Sequence, residues 1–185
     1  MSTAVASPAL KTGTWTVDAA HSKVGFAVKH MGVSTVRGEF GEFEGTLEVG
    51  DDLAAARAYG VVKTASVDTN QPQRDEHLRS ADFFNGELHP ELRFESKSIE
   101  PVDEETFKIT GDLSINGVTR EITLDAEIEG ADVGPQGEER VGLEVTGQLS
   151  RSDYGMKFNQ ALGSGNMVVS DRVKLNLDIA AIRQD

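Results

Sequence analysis

Cysteine is absent from all 185 residues. That excludes disulfide staples, thiolate nucleophiles and cysteine-ligated zinc or iron–sulfur centres. No stretch approaches the ~20 apolar residues needed to span a bilayer. The amino terminus, MSTAVASPALKTG, has no basic n-region and no apolar h-region of useful length, so the chain reads as soluble and cytoplasmic. Positive charge is also scarce: 18 Lys/Arg stand against 31 Asp/Glu, for a formal charge of −13. Such a field repels phosphodiester backbones and anionic membrane surfaces, and no basic cluster in the sequence offsets it locally. Neither nucleic acid nor stable membrane insertion is therefore expected.

Catalytic signatures are missing as well. The histidines at 21, 30, 77 and 89 form no HExxH-like or H-x₃₋₅-H pair, so a metal site would have to be assembled in space, and none is expected. There is no GxSxG elbow, Walker loop or paired-acid motif. The Gly163-Ser164-Gly165 run lacks the strand–turn–helix setting of a phosphate loop and reads as a flexible turn.

What is present is alternation. Residues 1–13 are small and polar and read as a flexible tail; residues 14–185 read as one domain with no composition break. In 22–30, Val24, Phe26, Val28 and His30 share one face. Strand patterning continues over 34–49, with a parity shift beside glycines that signals a bulge or corner. It resumes over 59–69 and 92–100, and residues 53–58 suit a helical turn. Asn116-Gly117 suits a two-residue type I′ turn, which sets Ile115 opposite Val118, Leu113 opposite Arg120, Ile109 opposite Leu124 and Phe107 opposite Ala126. Val141, Leu143, Val145 and Leu149 share a face over 138–153 that continues into Arg151 and Asp153. Val173, Leu175, Leu177 and Ile179 line the last strand. About eight strands at hairpin spacing imply an antiparallel sandwich or barrel, and eight is about the number at which a barrel can hold one small ligand.

Arg74 to Phe84, RDEHLRSADFF, breaks the alternation and reads as a helix. Asn70 is placed as its cap, Pro72 in its first turn, and Asp75 to Arg79 as an i,i+4 pair. Arg74, His77, Leu78 and Ala81 share one face, with Asp75, Arg79 and Asp82 towards the other. Leu78 and Phe83-Phe84 suit a plug for an open barrel end, and the same plug can serve as a lid. His30 reads either as a core histidine bonded to a carbonyl or as a ligand contact. Arg151 reads either as an internal ion pair with Asp153 or as a fork for an anionic oxygen.

Together these residues resemble the YceI-like family, whose members look like lipocalins and bind polyisoprenoid lipids. The resemblance rests on WTVDAAHSKVGFAVKHM (15–31) with GEFGEFEG (38–45), SVDTNQPQRDEHLRSADFFNGELHPELRFES (66–96), GDLSINGVTREITL (111–124) and SRSDYGMKFN (150–159), in that order. It implies an all-β, eight-stranded antiparallel lipocalin-like barrel with a short helix packed against or closing it. It further implies an elongated apolar cavity for a polyprenyl phosphate, an isoprenoid quinone or a related long-chain amphiphile, without cofactor or catalysis. Many members are periplasmic. The candidate apolar wall is Phe26, Val28, Phe94, Leu113, Val145 and Leu175, with Leu78 and Phe84 from the plug. The candidate headgroup contacts are His30, Arg74, His77 and Arg151. A homodimer with a long ligand extending across its interface is compatible with this reading. The alternatives are an enzyme acting on a lipid-like or quinone substrate, with His30, Arg151 or Asp153 in acid–base roles, and a stress-related interaction module with a filled core.

Overall fold

Period-two alternation of apolar and polar side chains builds one antiparallel sheet that closes on itself. The computed structural model describes residues 10–52, 55–159 and 168–184. Among them are β1 (Gly13–Val17), β2 (Lys23–His30), β3 (Ser34–Phe40), β4 (Phe43–Val49), β5 (Arg57–Lys63), β6 (Val67–Asp68), α1 (Pro72–Arg79), β7 (Glu91–Pro101), β8 (Thr106–Ile115), β9 (Val118–Val133), β10 (Glu139–Ser150) and β11 (Val169–Gln184).

These segments make eight barrel strands. β1 and β2 lie end to end on the same edge of β11, separated by a short 3₁₀ turn at Ala19–His21. β3 and β4 likewise form one strand kinked at 41–42, where the sequence shifts parity. β5 and β6 form a third, broken by a 3₁₀ turn at Thr64–Ser66. With β7 to β11 they run up and down in chain order, and β11 returns to β1 and β2 to close the circle. The expected hairpin register is observed in full. Asn116 and Gly117 both have positive φ, and the Ile115–Val118, Leu113–Arg120, Ile109–Leu124 and Phe107–Ala126 pairs all form.

The interior is packed at both ends. At one end Leu10, Trp15, Val49, Ile99, Phe107 and Val141 form a tight floor. At the other, Phe40, Val67, Phe83, Leu92, Tyr154 and Met156 gather beneath α1 and the loop after β10. Burial of Leu10 corrects the extent of the expected tail. Residues 10–13 are not loose: Leu10 is 1% exposed, and Gly13 already pairs with Val49.

Five further expectations change. Strand β5 begins at Arg57, so 57–58 are strand and not helical turn. The helix runs from Pro72 to Arg79 and so ends short of Phe84. Gln71, and not Asn70, caps it by accepting the Arg74 amide, and Pro72 stands at its start. It stops at Arg79 because the chain then turns to bring Phe83 and Phe84 towards the interior. Asp75 does not reach out to Arg79 but is buried, accepting from the Thr69 amide at 2.8 Å and the Thr69 hydroxyl at 2.5 Å. Finally, Arg151 and Asp153 do not prolong β10 but lie in a 3₁₀ turn, Arg151–Tyr154. The expected turn at 163–165 lies outside the described residues.

Candidate functional site

Inward-facing residues of all eight strands enclose a cavity of about 470 Å³, within the range of small-molecule sites. It extends from Trp15 at the floor to His77 and Phe158 at the helix end. Trp15 is 1% exposed and its indole N–H donates to the Lys11 carbonyl at 2.9 Å, so the floor is fixed. At the other end the lining includes the exposed Lys29, Arg74 and Phe158, and this end is the mouth. Gly45 lies directly opposite Gly60 across β4 and β5. The missing side chains let the wall pack closely there: a Cβ on Gly45 would meet a Val17 methyl at 3.0 Å, and one on Gly60 the Glu44 carbonyl at 2.9 Å.

All the candidate wall and headgroup residues line this space: Phe26, Val28, His30, Arg74, His77, Leu78, Phe84, Phe94, Leu113, Val145, Arg151 and Leu175; Asp153 does not. Sequence reasoning missed Trp15, Phe40 and Phe158. Trp15 lies in the middle of the first strand, and its alternation with Val17 was the available signal. Phe40 links Phe26 to Phe84 through ring contacts at 5.6 Å each, continuing the apolar wall up to the cap.

The mouth is framed by aromatic and charged groups with defined partners. His77, Phe83 and Phe158 pack edge to face, with centroids 5.0, 4.7 and 5.5 Å apart. His77 Nε2 also lies 2.9 Å from an Asp82 carboxylate oxygen. Arg74 donates from Nε to the Thr69 hydroxyl and from Nη2 to the Thr69 carbonyl, both at 2.7 Å. Since Thr69 also donates to Asp75, this triad fastens α1 to the end of β6.

Arg151 does not form the internal ion pair with Asp153 that was one of the two arrangements expected for it. Its guanidinium donates to three backbone carbonyls: Ser170 at 2.9 Å, Met156 at 2.7 Å and Val169 at 3.2 Å. The Asp153 side chain is not its partner, and the Asp153 carbonyl instead accepts from Arg120. The physical reason lies in β11, whose pairing with β2 slips between Val169 and Val173, while its pairing with β10 stops at Arg172. Carbonyls at 169 and 170 are thus left without ladder partners, and the Arg151 side chain takes over where the β10 backbone ends. Burial pulls the guanidinium below the usual arginine range, opposed by the negative charge of Asp171. Donors remain on both Nη atoms, beside the cavity. His30 makes no side-chain hydrogen bond to any described residue, so the expected carbonyl partner is not found, and its imidazole also lines the cavity.

Tyr154 packs nearby with 1% exposure, and its hydroxyl has no hydrogen-bond partner among the described residues. Burial pushes its pKa up to about 12. Tyr154→Phe is therefore expected to leave stability unchanged or raise it by about 1 kcal/mol, since a buried hydroxyl without a partner is destabilising. Urea unfolding measures this, and a loss of stability would reveal a partner for the hydroxyl.

A closed, eight-stranded antiparallel barrel with an apolar interior, capped by a short helix, defines a lipocalin-like barrel. The chain belongs to the YceI-like family: the model of the YceI-like domain matches residues 15–181. A UPF0312 protein of Staphylococcus aureus (strain N315) is 38% identical over 163 residues, covering 86% of this chain and 92% of that protein. The crystal structure of the Campylobacter jejuni YCEI protein is 34% identical, covers 91% of this chain and 96% of its own, and superposes with a TM-score of 0.73. Burkholderia cenocepacia BcnA, 20% identical, shares the fold with a TM-score of 0.77 over 89% of this chain and 98% of its own. So does a polyisoprenoid binding domain from Saccharophagus degradans, 14% identical, with a TM-score of 0.70 over 92% of this chain and 98% of its own.

Proposed function

We propose that the protein binds a long-chain isoprenoid lipid, a polyprenyl phosphate or an isoprenoid quinone, and sequesters or carries it without chemical change. The observation that carries this reading is the cavity itself, continuous from Trp15 to the mouth and lined overwhelmingly by apolar surface. Burying about fifteen prenyl carbons at ~0.8 kcal/mol each yields roughly 12 kcal/mol before losses. Subtracting ~4 kcal/mol for lost translational and rotational freedom still leaves micromolar affinity. His30 and the remaining Arg151 donors supply contacts for an oxygen-bearing headgroup at the mouth. The polyisoprenoid binding domain of Saccharophagus degradans, which shares this fold, supports the cargo class. An open cavity speaks against a filled-core interaction module. For an acid–base enzyme, neither His30 nor Arg151 has a carboxylate partner among the described residues.

Native mass spectrometry of protein purified without detergent, then delipidated and offered polyprenyl phosphates or quinones, tests this reading. One bound chain per barrel is expected. Val28→Trp and Leu175→Trp, which fill the middle of the cavity, are expected to abolish binding while the barrel stays folded. Absence of uptake by folded, delipidated protein would overturn the proposal, and turnover of the bound lipid would replace it with the enzymatic reading.

A further inference from the structure

Four cations that lie far apart in the sequence meet on the outer surface of the barrel beside its mouth. Lys29 is on β2, Arg37 on β3, and Arg172 and Lys174 on β11. Their strand neighbours Val28, Val36, Val173 and Leu175 line the cavity, so Arg37, Arg172 and Lys174 point outward, while Lys29 stands at the rim and also borders the mouth; all four are exposed. The register brings them together. Ala27 lies between Arg37 and Lys174, while Lys29 faces Thr35. Arg172 and Lys174 face Ser150 and Gln148 on β10.

Every one of those cross-strand neighbours is neutral. None of the four cations has an ion-pair partner among the described residues. Asp171, the adjacent acid on β11, accepts from the Ser152 amide at 3.0 Å. The next acid along β3 is Glu39, already paired with Lys23 at 3.1 Å. Further along the same outer face the sign reverses: carboxylates of Glu129, Glu144 and Asp178 lie within 4.8 Å of one another.

Directly beyond Lys29, the β2–β3 turn presents apolar side chains to solvent. Met31 is 40% and Val33 83% exposed. Met31 also has a φ of 58°, a left-handed conformation that non-glycine residues rarely adopt. His30, between Lys29 and Met31, lines the cavity, so this rim is continuous with the entrance.

We propose that the rim docks the barrel, mouth first, on an anionic phospholipid surface. Lys29, Arg37, Arg172 and Lys174 lie over the headgroups, and Met31 and Val33 enter the interface. This reading differs from the expectation from composition that such surfaces repel the chain. The charge of −13 acts at a distance, but beyond about 8 Å it is screened at physiological salt, and at contact the local patch decides. The acidic end of the same face disfavours the opposite orientation. The contact is peripheral, and it rests on surface residues alone, whatever the cavity holds.

Co-sedimentation tests it, using phosphatidylcholine vesicles with and without a third of phosphatidylglycerol. The vesicles contain no isoprenoid, so a failure here is distinct from a failure of lipid uptake. Partition onto the anionic vesicles is expected, with loss at high salt. Each of Lys29→Gln, Arg37→Gln, Arg172→Gln and Lys174→Gln is expected to weaken it by about fivefold. Met31→Ser with Val33→Ser is expected to weaken it further at unchanged thermal stability. Lys23→Gln, whose ammonium is already paired, is the control that leaves partition unchanged. No binding, equal binding to both vesicle types, or wild-type binding by the fourfold Gln variant overturns the proposal. Retention on heparin without vesicle binding overturns it in favour of a polyanionic partner.

Discussion

Arg151→Leu is expected to destabilise the fold by about 3–5 kcal/mol, far more than removal of a surface arginine. The guanidinium is the shared donor for the carbonyls of Met156, Val169 and Ser170. The Val169 carbonyl keeps the Asn159 side-chain amide at 2.7 Å, so the loss falls on Met156 and Ser170; each buried carbonyl left without a donor costs about 1–3 kcal/mol, and partial rehydration at the mouth offsets part of the sum. The loss extends beyond hydrogen bonds, because the Arg151 guanidinium also lies 5.8 Å from the Phe83 ring centroid and so joins the cap to the seam between β10 and β11. Arg151→Lys keeps the charge but cannot reach three carbonyls at once, so it should recover less than half of the loss. Urea unfolding of both variants, with hydrogen exchange at Met156, Val169 and Ser170, checks this. A lysine variant as stable as wild type would show that charge alone matters at this position.

Trp15→Ala is expected to cost about 3–5 kcal/mol, the usual range for a large aromatic removed from a core. Trp15 is packed among Leu10, Leu47, Val49 and Ala181 and belongs also to the cavity lining. Removing it should therefore do two things together: weaken the barrel and deepen the cavity. Ligands that fill the deeper space should restore stability in proportion to ln(1 + [L]/Kd). A thermal-shift series across prenyl chain lengths would show the preferred length moving upward in the variant. An unchanged preference would place the chain terminus short of the floor, and a stability loss below about 1 kcal/mol would mean that neighbouring side chains collapse into the gap.

Much of the barrel was legible in the sequence because two independent signals coincide. Alternation assigns each residue a side, and Asn116-Gly117 fixes which residues face one another across β8 and β9. The cavity wall followed from the same alternation, which is why Phe26, Phe94, Leu113, Val145 and Leu175 all line it. Polar side chains were harder to read. The partners of Arg151 lie up to nineteen positions away, on a segment that slips against β2 and has run past the end of β10. Asp75 has the spacing of a surface ion pair, yet the fold places Thr69 closer, and burial then favours the hydroxyl and amide donors. The basic rim was invisible for a related reason. A scan along the chain finds no basic run, whereas the strand register brings positions 29, 37, 172 and 174 together from three strands, β2, β3 and β11.

The pairing of β11 with β1, in which Thr14 meets Gln184 and Val17 meets Ala181, also determines when the cavity comes into existence. The other neighbouring strands follow one another directly along the chain and can pair soon after they are made. This last seam must bring the two ends of the domain together, and it carries the largest loop-closure entropy in the fold. Until it forms, β11 and the β1–β2 strand are open edges, and the apolar interior is wetted and available to other chains. Enclosure of a guest is therefore a late event, possible only after residues 169–184 have been synthesised and have found the first strand.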